Sequence, residues 1–207
     1  MKRVTKNSQI DVNYATALEI GKSKLGEDDL QVADTLHELG EDDVNVAVRL
    51  HLLGVCLRNA KRYDEAQEVL RQALEIKKAK LGEDDLQVAV TLHSLAVCLR
   101  CGNMYDEAAE LLRQALEIKK AKLGDNDLQV AATVHELGVC LWDAKRYDEV
   151  EVLLRQALEV KKANLGDNDL QVAGTLHHLG VCLLDGKRYD EVEVLLRQAL
   201  GIEKAKL

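Results

Sequence analysis

The sequence contains no proline and no phenylalanine in 207 residues, and only two methionines and one tryptophan. Average usage would supply roughly ten prolines in a chain of this length. Their absence fits helices joined by short turns that bend without proline. Long apolar runs are also missing: none approaches the ~20 residues that a membrane-spanning helix needs. The basic N-terminal MKRVTKNSQI has no apolar stretch behind it, so it is not expected to act as a secretory signal. Nor is there an excess of positive charge. Against 36 Asp and Glu stand 28 Lys and Arg, a net charge of −8, which disfavours nucleic acid or an anionic membrane as the main partner.

What the chain does have is a copy of itself. Gly124–Leu165, shifted by 42 residues in either direction, lands on near-identical stretches beginning at Gly82 and Gly166, and a further copy begins at Gly40. A fixed period of this size marks a stacked-repeat array rather than a globule with one centre. Apolar residues make up 47% of the chain and charged residues 31%, enough for a continuous core under a solvated surface. The expected organisation is one continuous solenoid domain of four repeats, 40–81, 82–123, 124–165 and 166–207. Ahead of them lie truncated repeat elements over 10–39 and a disordered tail over 1–9. The array stops at a repeat boundary without a polar capping helix, as a fragment of a longer array would.

Within each copy the apolar residues follow a helical period twice. In the second copy Leu86, Ala89, Leu92, Leu95, Ala96 and Leu99 mark a first helix, and Ala108, Leu111, Leu112, Ala115, Leu116 and Ile118 a second. The spacing predicts helices over 10–25, 28–39, 43–60, 64–80, 86–102, 106–122, 128–144, 148–164, 170–186 and 190–205. In the turn CGNMYD, Asp106 is placed to cap the second helix. Between copies, Gly82 is expected as a left-handed residue ending one helix, and Asp85 as the N-cap of the next. Lys119, Lys120 and Lys122 at a helix end, with Glu83 and Asp84 before a helix start, read as a solvated face that complements the helix dipoles. Near the front, LGEDD at 25–29 is followed after 14 residues by a second GEDD-like start at Gly40. Two heptads of insertion would preserve a 3.5-residue seam, so one helix over 28–60 is geometrically possible. The use of LGEDD as the interhelix turn elsewhere argues instead for a break at Gly40–Asp42.

Cys56, Cys98, Cys140 and Cys182 recur in register, with Cys101 extra. Equivalent positions on stacked helices lie about 10 Å apart, beyond the ~7 Å that a disulfide can bridge. They read as small buried residues of a cytoplasmic, reducing environment. The single Cys98-x-x-Cys101 pair is a weak zinc or redox signal. His51, His93, His135 and His177 also recur, with His37 as a fifth. His51 and Cys56 are five apart, roughly 140° around a helix, so they point to different faces. Two histidines from adjacent copies would supply only half of a structural zinc site. No catalytic residue, metal or cofactor is therefore expected, and the histidines read as half-buried polar groups on a shared surface.

The spacing Leu50-x₂-Leu53-Gly54-x₂-Leu57, followed by Ala66-x₃-Leu70 and Ala73, resembles the tetratricopeptide repeat. The longer 42-residue form, with ALEI followed by LG, two acidic residues and VA, is similar to the repeats of kinesin light chains and nephrocystin-3. The resemblance implies an all-α, right-handed α-α solenoid that binds proteins in a concave groove lined by the first helices. It also implies that a clamp for a C-terminal carboxylate, built on Asn and Lys, is not present, because valines and histidines stand at those places.

Differences between the copies gather on the implied groove face. They fall at Val48, Val90, Ala132 and Gly174, then at Leu52, Ser94, Glu136 and His178. Further along they fall at Arg58, Arg100, Trp142 and Leu184, and at Asn59, Cys101, Asp143 and Asp185. The invariant histidines His51, His93, His135 and His177, and the valines Val55, Val97, Val139 and Val181, share that face. Arg58 and Arg100 at one end, with Trp142, Asp143 and Asp185 at the other, suit a peptide or helix with one acidic end and one basic or apolar end. Arg58, Arg100 and Trp142 are expected to be largely exposed and to contribute most to binding. The alternatives are a self-associating module using exposed array ends and, third, a metal or redox sensor. Gly201, standing where other copies have Glu75, Glu117 and Glu159, is expected to weaken the last helix.

Overall fold

The computed structural model describes residues 43–185 and 187–206. The expected tail over 1–9, the truncated elements over 10–39, His37 and the proposed break at Gly40–Asp42 lie outside the described residues. Among those described are eight α-helices, one 3₁₀ turn and no strand. The helices are α1 Asp43–Asn59, α2 Tyr63–Leu81, α3 Leu86–Cys101, α4 Tyr105–Leu123, α5 Leu128–Asp143, α6 Val150–Leu165, α7 Leu170–Asp185 and α8 Tyr189–Lys204. Seven agree with the predicted spans to within a residue or so. The predicted helix over 148–164 instead opens as the 3₁₀ turn Tyr147–Glu149 and becomes α-helical at Val150.

The turns inside the copies carry a feature the sequence pattern did not reveal. Lys61, Asn103, Lys145 and Lys187 all take left-handed backbone, with φ of 60°, 64°, 59° and 58°. After α1, the Arg62 N–H reaches back to the Leu57 carbonyl at 2.9 Å, with the Lys61 N–H on the Arg58 carbonyl. This crossed pair closes the orphan carbonyls at the helix end. The same closure follows α3, α5 and α7. Once the chain has turned through Asn103, α4 starts at Tyr105. Asp106 therefore sits inside the first turn and does not cap it; Met104 holds the N-cap place and makes no side-chain cap bond. Between copies, Gly82, Gly124 and Gly166 do have positive φ, at 90°, 84° and 81°, but with ψ near 160°. That is the mirror image of extended backbone, open only to glycine, rather than the left-handed helical region expected. The acidic caps are as expected: Asp85, Asp127 and Asp169 each accept the N–H two residues on, at 2.7, 2.7 and 2.8 Å.

The described helices fall into two compact units, one ending at Cys98 and one beginning at Leu99, with α3 contributing to both. In the first unit α1 packs on α2, and Ala47, Leu50, Leu53 and Leu57 are buried with Ala66, Leu70 and Ala73. Gly54 lets the two helices approach: a Cβ there would lie 2.5 Å from the Leu70 Cγ. In the second unit one buried cluster joins Val130, Val134 and Ala157. Another joins Val172, Ala173 and Leu176 to Ala199 and Ile202.

Lysine supplies the least expected part of the interior. Lys77, Lys119 and Lys161 are buried, at 3%, 4% and 5% exposure, so the expectation of a wholly solvated lysine face at these helix ends is corrected at Lys119. Each sits one copy before a buried threonine and donates to its hydroxyl: Lys77 to Thr91 at 3.0 Å, Lys119 to Thr133 at 3.0 Å, and Lys161 to Thr175 at 2.9 Å. Each threonine gives its own proton to the carbonyl four residues back, Gln87, Gln129 or Gln171. Its oxygen keeps two lone pairs. On Thr91 and Thr175 the second is met by a histidine Nδ1, from His51 at 3.2 Å and His135 at 3.0 Å. With the threonine proton already spent, the imidazole is the donor and carries its proton on Nδ1. Burial, and secondarily the neighbouring lysine, lowers His51 to a pKa of about 4 and His135 to about 3. Burial likewise lowers Lys119 and Lys161 to about 8, partly opposed by nearby carboxylates.

All five cysteines are free thiols. Cys98 and Cys140 are buried, and each reaches a tyrosine carbonyl one copy earlier, Tyr63 at 3.4 Å and Tyr105 at 3.3 Å.

Two expectations follow for stability. Thr133→Val leaves the Lys119 ammonium buried without its acceptor and should cost about 1.5–3 kcal/mol in denaturant unfolding. Adding Lys119→Met to that variant should restore most of the loss, since an apolar pair replaces a broken polar one. No recovery in the double variant would show that Lys119 does not depend on Thr133. For the histidines, the unfolded chain takes up protons near pH 6.5 while the folded one resists until about 4 or lower. Their contribution is thus complete above pH 6.5 and is lost as pH falls toward those lower values. Going from about pH 7 to about pH 5, the melting temperature should fall more for the native chain than for His51→Gln combined with His135→Gln. Equal falls would place the acid sensitivity elsewhere.

Candidate binding surface

The outer sides of the first helices carry the positions that differ between copies, and each unit presents its own set. In the first unit, α1 exposes Leu52, at 41%, and Asn59. Val48, Val55 and Arg58 are half-buried, and Arg58 donates to the Asn59 amide oxygen at 3.1 Å. On α3, Val90, His93 and Val97 are half-buried. Ser94, expected on the binding face, is buried and sends its hydroxyl toward His51 Nε2 at 3.4 Å.

In the second unit the charged positions are largely spent on one another. Arg100 pairs with Glu136 at 2.6 Å and with Asp143 at 2.9 Å, and all three side chains are 17–23% exposed. Burial alone would lower the Arg100 pKa, but the two carboxylates outweigh it and hold the guanidinium above its ordinary value. The expected exposure of Arg100 is therefore corrected: its positive charge is neutralised by two acidic residues drawn from the same variable positions one copy later. Trp142 is also only half-buried rather than largely exposed. Its indole Nε1 is buried and has no hydrogen-bond partner among the described residues.

Around these residues α7 supplies His177, exposed, with His178 and Val181 half-buried and Leu184 48% exposed. Ala132 and Gly174 are half-buried and Val139 buried. The side chain of Asp185 lies outside the described residues, and Cys101 is half-buried at the end of α3. His178 meets His135 edge-on at 5.0 Å between ring centroids, and His177 at 5.6 Å. Because Gly174 offers only a carbonyl, the 2.9 Å contact from His178 Nδ1 makes that nitrogen the donor. Burial lowers the His178 pKa; the Gly174 bond partly opposes this and His177 reinforces it. Val139, Trp142, Leu154, His177, His178 and Val181 line a cavity of about 220 Å³. Leu154 comes from a second helix, α6, which the single-helix reading of the face could not supply. Among the described residues no group of three or more His, Cys, Asp or Glu is arranged to hold a metal ion, and no helix is long and apolar enough to cross a membrane.

The chain matches the tetratricopeptide repeat family over residues 46–121 and 129–205. No curated protein matches it. Among solved structures, BtubC (BKLC) from P. vanneervenii is 23% identical, with a TM-score of 0.74 over 96% of this chain and 80% of that one. The nearly identical repeats of a Podosopora anserina kinesin light chain are 21% identical, with a TM-score of 0.66 over 100% and 99% of the two chains. A Rap protein complexed with competence and sporulation factor is 20% identical, with a TM-score of 0.70 over 85% of this chain and 48% of that one. These likenesses show the fold, an all-α solenoid of helical repeats. With its helix–turn–helix copies, and with the family match covering most of its length, the chain belongs to the tetratricopeptide repeat family, in a form that resembles kinesin light chain repeats.

Proposed function

We propose that this chain is a non-catalytic cytoplasmic scaffold that docks an extended peptide or a helix of another protein on the groove face of its first helices. The observation that carries this reading is a division of labour along those helices. The invariant Leu53, Leu95, Leu137 and Leu179 are buried, and His51 and His135 are tied to the next copy by hydrogen bonds, whereas Leu52 and Leu184, at positions that differ between copies, stay exposed without serving the core. The Rap protein crystallised with competence and sporulation factor offers an analogy for a protein ligand on the same fold. Because Arg100 is neutralised by Glu136 and Asp143, recognition rests on apolar and neutral polar contacts more than on charge. Among the described residues Arg58 makes no ion pair to an acidic residue and donates only to Asn59, which leaves it available to an acidic residue of the partner.

Self-association is a second reading, and it has its own observation. Val152 and Val194, at equivalent positions in the last two copies, are 69% and 64% exposed where Glu68 and Glu110 stand in the first two. Changing both valines to glutamate should leave the mass in solution unaltered if the chain works as a monomeric scaffold, and should lower it if the valines join copies.

The docking reading is tested by selecting peptides from a random displayed library on the intact chain. The selected peptides should lose at least about tenfold in affinity to Leu52→Glu or to Leu184→Glu, the loss expected when a charge is forced into a packed contact. Neither change should lower the melting temperature by more than a degree or two, because both side chains are solvated. Peptides that bind both variants as tightly as the native chain would remove the first-helix face from consideration.

A further inference from the structure

The run Lys-Arg-Tyr-Asp-Glu occurs three times in the chain, at 61–65, 145–149 and 187–191, each time in the turn between the two helices of a copy. We propose that the middle run is a site of limited proteolysis for endopeptidases that cut after basic residues, with the Arg146–Tyr147 bond hydrolysed first and the two products remaining docked. The inference concerns the turn between α5 and α6 and does not depend on a partner docking at the groove face. Because the five residues are the same in each run, a protease that prefers them has no basis in these residues for choosing one turn. Lys61, Lys145 and Lys187 also share the left-handed backbone. What separates the turns is how the chain is held after that lysine.

A protease acts on a segment that has left its helix, at a rate set by how often that segment opens. Two features make opening easiest at 145–149. The first is the start of the second helix. α2 and α8 begin as α-helix on the tyrosine itself, and the N–H groups of Ala66 and Val192 reach back to the carbonyls of Arg62 and Arg188 at 3.0 and 3.1 Å. The equivalent Val150 N–H goes instead to the Tyr147 carbonyl, three residues back. Tyr147–Glu149 thus form a 3₁₀ turn, whose hydrogen bonds have poorer geometry than those of an α-helix. The second feature is the arginine before the bond. Arg62 is half-buried and gives its Nε–H to Glu65 at 2.8 Å. Arg188 places Nη1 on both oxygens of Glu151, at 2.8 and 2.9 Å, and Nη2 on Glu191. Among the described residues Arg146 has one ion pair, to Asp106 at 3.6 Å, and that aspartate is 93% exposed. A solvated pair of this kind restrains little. All five residues over 145–149 are exposed, as nicking requires.

Hydrolysis adds one water across the bond, leaving a carboxylate on Arg146 and an ammonium on Tyr147. The core on either side of the nick is untouched. Val130 and Val134 of α5 pack with Ala157 of α6. At Gly138 the two helices come so close that a Cβ would lie 3.1 Å from the Leu154 Cδ2. α6 packs on α7 as well, so the piece beginning at Tyr147 keeps its contacts after the chain is cut.

The intact chain is treated with a trace of trypsin, and the products are followed by intact mass and by size exclusion without denaturant. Among the three turns, cleavage after Lys145 or Arg146 should come first, at least about tenfold faster than after residues 61–62 or 187–188. The two pieces should elute together at the position of the uncut chain. Changing Lys145→Gln together with Arg146→Gln should remove the fast cut. It should leave the melting temperature within a degree or two, because both side chains are solvated. Equal rates at the three turns would overturn the proposal. So would a first cut after residue 62 or 188, a fast cut at any of the three turns that persists in the double variant, or pieces that elute apart.

Discussion

A threonine hydroxyl used three ways is the contact on which the register of the copies depends. Thr91 and Thr175 each give a proton to the helix backbone and accept from a buried lysine and a histidine of the preceding copy. Apolar packing alone would hold the helices together but would tolerate sliding, because leucines and alanines are forgiving of small shifts. A buried ammonium is not forgiving, since it loses its solvent and keeps its charge unless the hydroxyl is where it should be. Two copies depart from the pattern: Arg49 stands where the later copies have Thr91, Thr133 and Thr175, and Glu203 stands where the earlier copies have Lys77, Lys119 and Lys161.

The same logic changes the meaning of variation between copies. Arg100, Glu136 and Asp143 occupy positions that differ from copy to copy, and differences of that kind suggest a face shaped for an outside partner. Here the differing residues satisfy one another across neighbouring helices. On the other side of the unit, Arg155 joins Glu151 and Glu191, and Arg188 joins the same two carboxylates. Those four are solvated, and pairs of that kind contribute little each. The Arg100 cluster is less exposed and ties α3 to two residues of α5, so it has more influence on how those helices sit. Variation in a repeat protein can therefore encode which copy follows which, as well as what binds.

Much of the fold was legible in the sequence because it depends on neighbours a few residues apart. The helical period placed α1, α3 and α7 at their starts, and the acidic caps at Asp85, Asp127 and Asp169 are two-residue features. Asp106 misled for the same reason: the left-handed Asn103 starts α4 one residue early, and nothing in a propensity scale announces a left-handed lysine at Lys61, Lys145 or Lys187. The lysine–threonine bonds span 14 residues and an intervening turn. Their recurrence was visible in the repeat, but a lysine at a helix end near acidic residues has an ordinary explanation in the helix dipole, and burial alone distinguishes the two. For the face, the helical wheel grouped Leu52, His177 and Leu184, and all three are exposed. It could not show that Ser94 turns inward to His51 or that Leu154 of α6 closes a cavity beside Trp142.

The surface that results is acidic in total and close to neutral where the first helices show their differences. Thr91 and Thr175 hold the Nδ1 sides of His51 and His135, Ser94 meets the far side of His51, and burial keeps both rings uncharged at neutral pH. Arg100 is matched by two carboxylates. On the proposed reading, a partner meets little long-range field at either unit and is recognised at contact, by fit to Leu52 in the first or to Leu184 and the recess beside Trp142 in the second. Such contacts set how slowly a partner leaves more than how fast it arrives, because steering needs unbalanced charge and shape does not.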